Sequence, residues 1–569
     1  MTLLYAQVPS PGILVNFKKL LIEKNVLSFG EEIWSYLLIM YIIVGLLLTF
    51  VINRGNWYQH ANLKTFLWFL ILSIGAFVVQ TPNFIQGFLH VDESQHIGEA
   101  LTLANDPRFW LSVDGTTVGP IAIYLPACLQ WVGLEINYFT IRVLNVFLWV
   151  VITVFIYKSF TLYYSIDKSK WYTLILFAIF PFFFHEDYVS YNGEVSAIML
   201  IIMALYFMQR GFRHEIGNPL FLFIIGVLLT LAPFAKLQVG PICLMLGLYQ
   251  LFLIRKNVSN VLFLLSGVLL PLFLVTFYLF HYNLIYDFFH SYLLNNLSYT
   301  STGIGLQYKR DLLTKIARLP FTIFEPLETR LLFLISFLTL FIFCYKKIST
   351  FKSYLNQPRV IAIFILFLST IFVIYIPGHK YYHYVLLLIP SAVLIFVILL
   401  RELVTVTNQK QISIVIMLIL TQAFITAFEP KDFTTGMIDP SPTQIKDLQI
   451  VEEIKQVSSA GERLAIWGYG TFLYSETGLL MGTRDTQTHR HILTPAQQEY
   501  YLNRYLQDMQ RLQPELFVDT IKKDGWLFNS EEHRFIYYPQ LKEYINYNYT
   551  FYKEINGAEI FIRKDLNRS

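Results

Sequence analysis

A series of apolar runs constrains this chain more than anything else in it. Each is roughly 15–22 residues long, enough to cross a bilayer as a helix. They open near Trp34, Thr65, Phe139, Trp171, Val195, Leu220, Val239, Val261, Leu331, Val360, Tyr382 and Ile412, about twelve in all. Backbone in lipid must satisfy its own hydrogen bonds, so runs of this length are helices. Charged residues are only 14% of the 569, against roughly 25% in a soluble domain. A soluble or a disordered chain is excluded; a mainly α, polytopic membrane protein is left. The net charge of +4 gives no reason to expect nucleic acid, and membrane lipids are the first partners implied.

The positive charge is unevenly shared between the two sides. One side holds Arg54 and Lys64; Lys158, Lys168 and Lys170; Arg210 and Arg213; Arg255 and Lys256; Lys346, Lys347, Lys352 and Arg359; Arg401 and Lys410. Short connections on the other side carry Lys236 and Lys380. The positive-inside rule therefore turns outwards the 81–137 loop, the 186–193 loop, the long 281–330 loop and everything after Glu429. Residues 1–32, with Lys18, Lys19 and Lys24 among apolar positions, suit a helix lying on the membrane. The same residues lack the regions of a leader that is cut away. The expected domains are 1–32 interfacial, 33–430 transmembrane and 431–569 soluble.

In the last of these, LAIWGYG (464–470) and ELFVDTI (515–521) read as buried strands and 496–512 as a helix. A closing hairpin turns at Asn556-Gly557. This is an α/β domain large enough for its own core. It has no P-loop, Rossmann glycine pattern or Ser/His nucleophile motif, so a sugar nucleotide or ATP site is not expected. The three cysteines match no metal-ligand spacing.

Ionisable groups gather where the apolar runs end on the outer side. Phe88–Pro120 holds Asp92 and Glu93, then Gln95, His96, Asn105, Arg108, Asp114, Thr116 and Thr117, which are able to hold a sugar or a phosphate. The plain alternative is that the two acids cap a helix. HEDYVSYNGE (185–194) sets His185, Glu186 and Asp187 in a row between spans, which costs free energy unless they face water, a cation or one another. They could hold a divalent ion, although no spacing demands one. Glu194 fits the first turn of the next helix. Lys236 stands alone in TLAPFAKLQVGP, either snorkelling or facing a lipid phosphate. PGHKYYHYVLLLIP (377–390) concentrates His379, Lys380, Tyr382 and His383 at a helix entrance, more than an aromatic belt needs.

Carboxylates opposite cations at a bilayer surface suit group transfer from a lipid-linked phosphate. A carboxylate takes the proton of an acceptor hydroxyl as it attacks an anomeric carbon. Cations such as Lys236, His379, Lys380 and His383 steady the departing phosphate. Displacement in one step inverts the anomeric centre, and no cofactor is required.

HVDESQHIGEA after an apolar span, DGTTVGPIAIY leading back to the membrane, GHKYYHYVLLLIP, and WGYGTFLYSETGLLMGTRD in the tail together resemble the GT-C fold glycosyltransferases. The nearest resemblance is to bacterial relatives of protein O-mannosyltransferases and of the aminoarabinose transferase that modifies lipid A. Thr471, where a proline is frequent, and an extra span near Trp34 depart from that pattern. The resemblance implies a polyprenyl-phosphate-linked sugar donor, a glycan, lipid or protein acceptor, and a bacterial cytoplasmic membrane with its catalytic loops outside. It makes Asp92 the base, beside Glu93, and maps the second acidic position onto Glu186 or Asp187. His96, Arg108, His185 and Tyr382 complete the candidates. Two rivals differ in class: a transporter of polysaccharide or lipid-linked sugar, and a membrane-anchored scaffold. Charge-free span interiors and the large outer domain oppose the first; the acidic loops have no use in the second.

Overall fold

The computed structural model describes residues 63–85, 87–302, 311–346, 357–403, 414–422, 442–494, 497–522, 527–528, 530–566 and 568. The expected interfacial segment 1–32 and the run at Trp34 lie outside these residues, as does part of the run at Ile412. The chain divides into two compact units, Met1–Val78 and Val79–Ser569. Helix α1 (Leu63–Phe84) passes from the first into the second.

Eight helices among the described residues are long and apolar enough to cross a membrane. They match eight of the runs read from the sequence. After α1 come two shorter helices, α2 (Val91–Asn105) and α3 (Pro120–Trp131). Helix α4 (Tyr138–Thr161) follows and is buried along nearly its whole length. The run at Trp171 forms only a 12-residue helix, α5 (Ile166–Phe177), continued by a 3-10 turn at Phe180–Phe182. A single turn, α6 (Glu186–Val189), leads into α7 (Gly193–Arg213), and α8 (Pro219–Leu231) follows. Pro233 ends that helix in a 3-10 turn, and the chain resumes as α9 (Gly240–Ile254). Helix α10 (Val258–His281) shows Leu262, Leu269, Phe273 and Phe277 on its exposed surface, as a lipid-facing helix does.

The 281–330 connection is not a loop but largely helical, with turns at 285–302 and α11 (Leu312–Phe324) among its described residues. Helices α12 (Leu327–Lys346), α13 (Pro358–Tyr375) and α14 (Leu388–Leu403) complete the described bundle, α14 being entered by a 3-10 turn at Tyr382–Leu387.

The C-terminal domain begins with α15 (Pro442–Val457) and is built on a five-stranded sheet in the order β2-β1-β3-β5-β4. Strand β1 (Arg463–Trp467) runs parallel to β2 (Leu480–Met481) and β3 (Leu516–Asp519). Strands β4 (Tyr549–Ile555) and β5 (Ala558–Arg563) form the hairpin, turning at Asn556 (φ 51°) and Gly557 (φ 82°). Positive φ at both central residues is the reason for Asn-Gly there. Trp467, Tyr505, Phe517, Phe535 and Phe561 fill the core between the sheet and helices α17 (Gln498–Leu512) and α18 (Pro539–Asn548).

This domain is clamped to α2. Its short helix α16 (Phe472–Thr477) lies so close that a Cβ on Gly98 would meet Tyr474 Cβ at 2.8 Å. The Thr471 hydroxyl is 2.6 Å from Ser94 Oγ and donates to the Val91 carbonyl at 3.2 Å. Behind the clamp is a dry joint of charges. Arg490 Nη2 donates to Asp114 at 2.8 Å and Asp485 at 2.5 Å, and Arg504 meets the same two carboxylates at 2.6 and 2.5 Å. At its edge Gln487 donates to Gln95, and Gln95 donates to Glu99 and Thr116.

Candidate functional site

Two turns of the same form, His-x-Asp, face each other at the start of α2 and α6. His90 caps α2, its Nδ1 accepting the Asp92 amide N–H at 3.2 Å. His185 caps α6, its Nδ1 accepting the Asp187 amide at 3.2 Å. Asp187 Oδ1 is hydrogen-bonded to His383 Nδ1 at 3.1 Å and lies 3.3 Å from His90 Nε2. Burial acts to raise the Asp187 carboxyl, but the hydrogen bond and charge of His383 bring it down to about 2. Glu186, beside it, is exposed. Of the two acids the sequence left open, the structure brings Asp187 to the site.

Asp92 differs from Asp187 in having its carboxylate unengaged. The nearest ion-pair partner among the described residues is His90 Nδ1, 3.8 Å from Oδ2, and the side chain is 38% exposed. Burial would raise this carboxyl, yet His90, His383, His96 and Lys236 together hold it below the usual carboxylate range. His96 donates from Nδ1 to the Asp92 carbonyl and packs edge-on against Tyr191. Burial, against the pull of Asp92, pushes the His96 imidazole down to about 4. Its buried Nε2 has no hydrogen-bond partner among the described residues.

Glu93 was expected among the catalytic acids, and its position corrects that. It is fully buried, paired with the guanidinium of Arg142 at 2.5 Å and accepting the Tyr191 amide at 3.2 Å. Arg142 also donates to the carbonyls of Asn83 and Gly87 at 2.8 Å. A dry, saturated carboxylate cannot take a proton from a substrate without breaking the ion pair that locks α2 to α4.

Lys236 stands in the break between α8 and α9. Its backbone is extended (φ −148°, ψ 114°) and bridges Val118 on the returning loop. The strands touch so closely at Gly119 that a Cβ there would lie 2.1 Å from the Phe234 carbonyl oxygen, so only glycine fits. Lys236 Nζ is 3.1 Å from Glu194 Oε1, both side chains being nearly buried. Glu194 therefore does more than open α7. Lys236 lines a cavity of about 180 Å³ whose walls are mostly apolar, with Leu237, Tyr299, Val373, Ile376 and Tyr384 around it.

Other candidates lie elsewhere. Lys380 pairs with Glu325 on a surface where both side chains are 41% exposed, and it is not among the residues lining the cavity. The expected pairing of Lys236 with Lys380 around one phosphate is thus not what the structure shows. His379 stacks against Tyr381 and packs on Tyr299. Tyr382 meets the His185 ring edge-on. Arg108 is held by Asp106 at 2.6 Å, exposed and apart from the cluster. Among the described residues no group of three or more His, Cys, Asp or Glu is set to hold a metal ion.

Sequence reasoning missed His90 and undervalued Glu194. The repeated His-x-Asp spacing was a local sign of the first. The second shows only once Lys236 is folded against it.

No family model and no curated protein matches this chain. Among solved structures it is similar to ArnT from Cupriavidus metallidurans bound to undecaprenyl phosphate, with a TM-score of 0.53 and 11% identity over 87% of this chain and 97% of that one. The apo state of the same ArnT gives 0.51 and 11% identity over 88% and 98%. The fold is GT-C. A weaker likeness, TM-score 0.43 and 11% identity over 89% and 75%, joins it to the archaeal oligosaccharyltransferase AglB from Archaeoglobus fulgidus.

Proposed function

We propose that this protein is an integral membrane glycosyltransferase that moves a sugar from a polyprenyl-phosphate-linked donor to an acceptor hydroxyl. The observation that carries the reading is Asp92: an unengaged carboxylate, held ionised, within the electrostatic reach of a lysine that lines an apolar cavity. The acceptor oxygen forms its bond to the anomeric carbon as the bond from that carbon to the phosphate oxygen breaks. The bonding electrons leave with the phosphate, and the acceptor proton passes to Asp92. Lys236 and His383 stabilise the charge that grows on the phosphate, while the cavity walls take the first isoprene units. Attack opposite the leaving group inverts the centre. Distribution of Lys and Arg over the connections supports an outward-facing site.

The test is release of polyprenyl phosphate from a panel of labelled polyprenyl-phosphate sugars, one at a time, by the purified protein in proteoliposomes. A single donor turned over with formation of a new glycosidic bond supports the reading. Movement of a donor across the bilayer without bond formation refutes it in favour of transport.

A further inference from the structure

His90 makes two contacts where a helix cap needs one. A ring nitrogen that accepts a backbone N–H carries no proton, so the neutral His90 ring has its hydrogen on Nε2. That nitrogen is 3.3 Å from Asp187 Oδ1. The other, Nδ1, receives the amide of Asp92 itself. One rigid ring therefore runs from the carboxylate of α6 to the peptide of the residue that carries the unengaged carboxylate of α2. Asp187 Oδ1 holds His383 as well, which extends the link to the entrance of α14. The His185 ring, its equivalent in sequence, instead packs against Tyr188 and Tyr382.

We propose that His90 is a positioning residue for the transfer reaction: in its Nε2–H form it ties Asp92 to Asp187 and sets where the base stands relative to His383. The inference rests on the reading of Asp92 as the base. Capping alone does not explain the residue. Asn, Asp and Ser accept an N-terminal amide better than most side chains, but they stop short of a second helix. An imidazole is long enough to do both, and its two nitrogens differ once one of them accepts. The groups that face it are Asp92 on its own helix, Asp187 on α6, and the His383 ring, which meets it edge-on.

Two substitutions separate the cap from the tie. His90→Asn keeps an acceptor for the Asp92 amide and loses the reach to Asp187; His90→Ala loses both. Each is assayed in proteoliposomes for undecaprenyl phosphate released from the undecaprenyl-phosphate sugars of the donor panel, with melting temperature measured alongside and Asp92→Asn as the reference. The expected result is that Asn restores the melting temperature lost in Ala but leaves kcat about 10- to 100-fold down, the cost of a misplaced reacting group, with donor KM little changed. Full kcat in His90→Asn overturns the proposal and leaves His90 a cap. A rise in donor KM that accounts for the whole loss also overturns it, making His90 a donor contact. Full kcat in Asp92→Asn overturns the base reading instead. No release from any donor by the unaltered protein overturns both.

Discussion

Two clusters of charge lie at the same end of this molecule, and they are neutralised differently. In the joint between α2's loop and the C-terminal domain, Asp114 and Asp485 are met by Arg490 and Arg504, with no side chain more than 3% exposed. In the site, Asp187 and Glu194 are met by histidines and one lysine, and Asp92 stands unengaged beside them. A guanidinium stays charged at any pH a protein meets and fixes a carboxylate through paired donors. Imidazoles change charge near neutrality, and a lysine presents a compact charge to whatever enters. The first cluster is built to hold; the second can respond to a substrate. Glu93 with Arg142 shows the same division within two neighbouring residues: it has the joint's partner and environment, whereas Asp92 has the site's.

Asp92→Asn gives the largest expected effect: turnover falls by about 10²–10⁴, the share attributed to a general base, while the melting temperature stays put. A melting temperature that falls with the activity would move Asp92 into the holding class. Arg490→Met attacks the joint. It removes one of the two guanidiniums that hold Asp114 and Asp485, leaving both buried carboxylates to Arg504 alone, and should cost about 3–5 kcal/mol, read by thermal unfolding of the detergent-solubilised protein.

Glu99, at the edge of the joint, sharpens the contrast because no arginine pairs with it among the described ion pairs. Burial, opposed by the Gln95 hydrogen bond and reinforced by Asp114, pushes its carboxyl from 4.5 up to about 8. Between those values the unfolded chain gives up a proton that the folded chain keeps, so stability falls as pH rises and levels off above the upper value. Glu99→Gln has no such proton. Its stability relative to the unaltered protein should climb from pH 5 to pH 8 by the order of a few kcal/mol, and a flat difference across that range would show Glu99 ionised in the fold. Lys236→Arg gives the smallest change. It brings the joint's residue type into the site, so the pair with Glu194 and the fold should survive while kcat drops several-fold, because a planar fork does not place its charge where an ammonium does.

How much of this was legible follows from where each signal lies. Apolar runs such as Phe139 onward declare a span without tertiary help, and Asn556-Gly557 declares a hairpin because the turn itself demands positive φ. Asp92, Asp187 and Lys236 were visible as charges at the ends of apolar runs. Their partners were not. Glu93 finds Arg142 49 positions away, and Asp114 finds Arg490 376 positions away; such pairs are decided by packing, and adjacent acids look alike until then. The 281–330 segment read as a loop because its polar residues mask the helical face of α11, whose Leu312, Leu313, Ile316 and Phe321 lie exposed on one side.

The clamp between Thr471 and Ser94 joins residues 377 positions apart, and this sets an order of events during synthesis. At roughly 5–20 residues per second, about 20–75 s separate the emergence of the two. Throughout that interval the helix bearing Asp92 exists without the wall that packs against Gly98. A nascent or truncated chain would therefore hold its carboxylate in the membrane-bound portion yet leave its helix unbraced. The bracing of α2 is therefore completed only after Thr471 has been made, in the last quarter of the polypeptide.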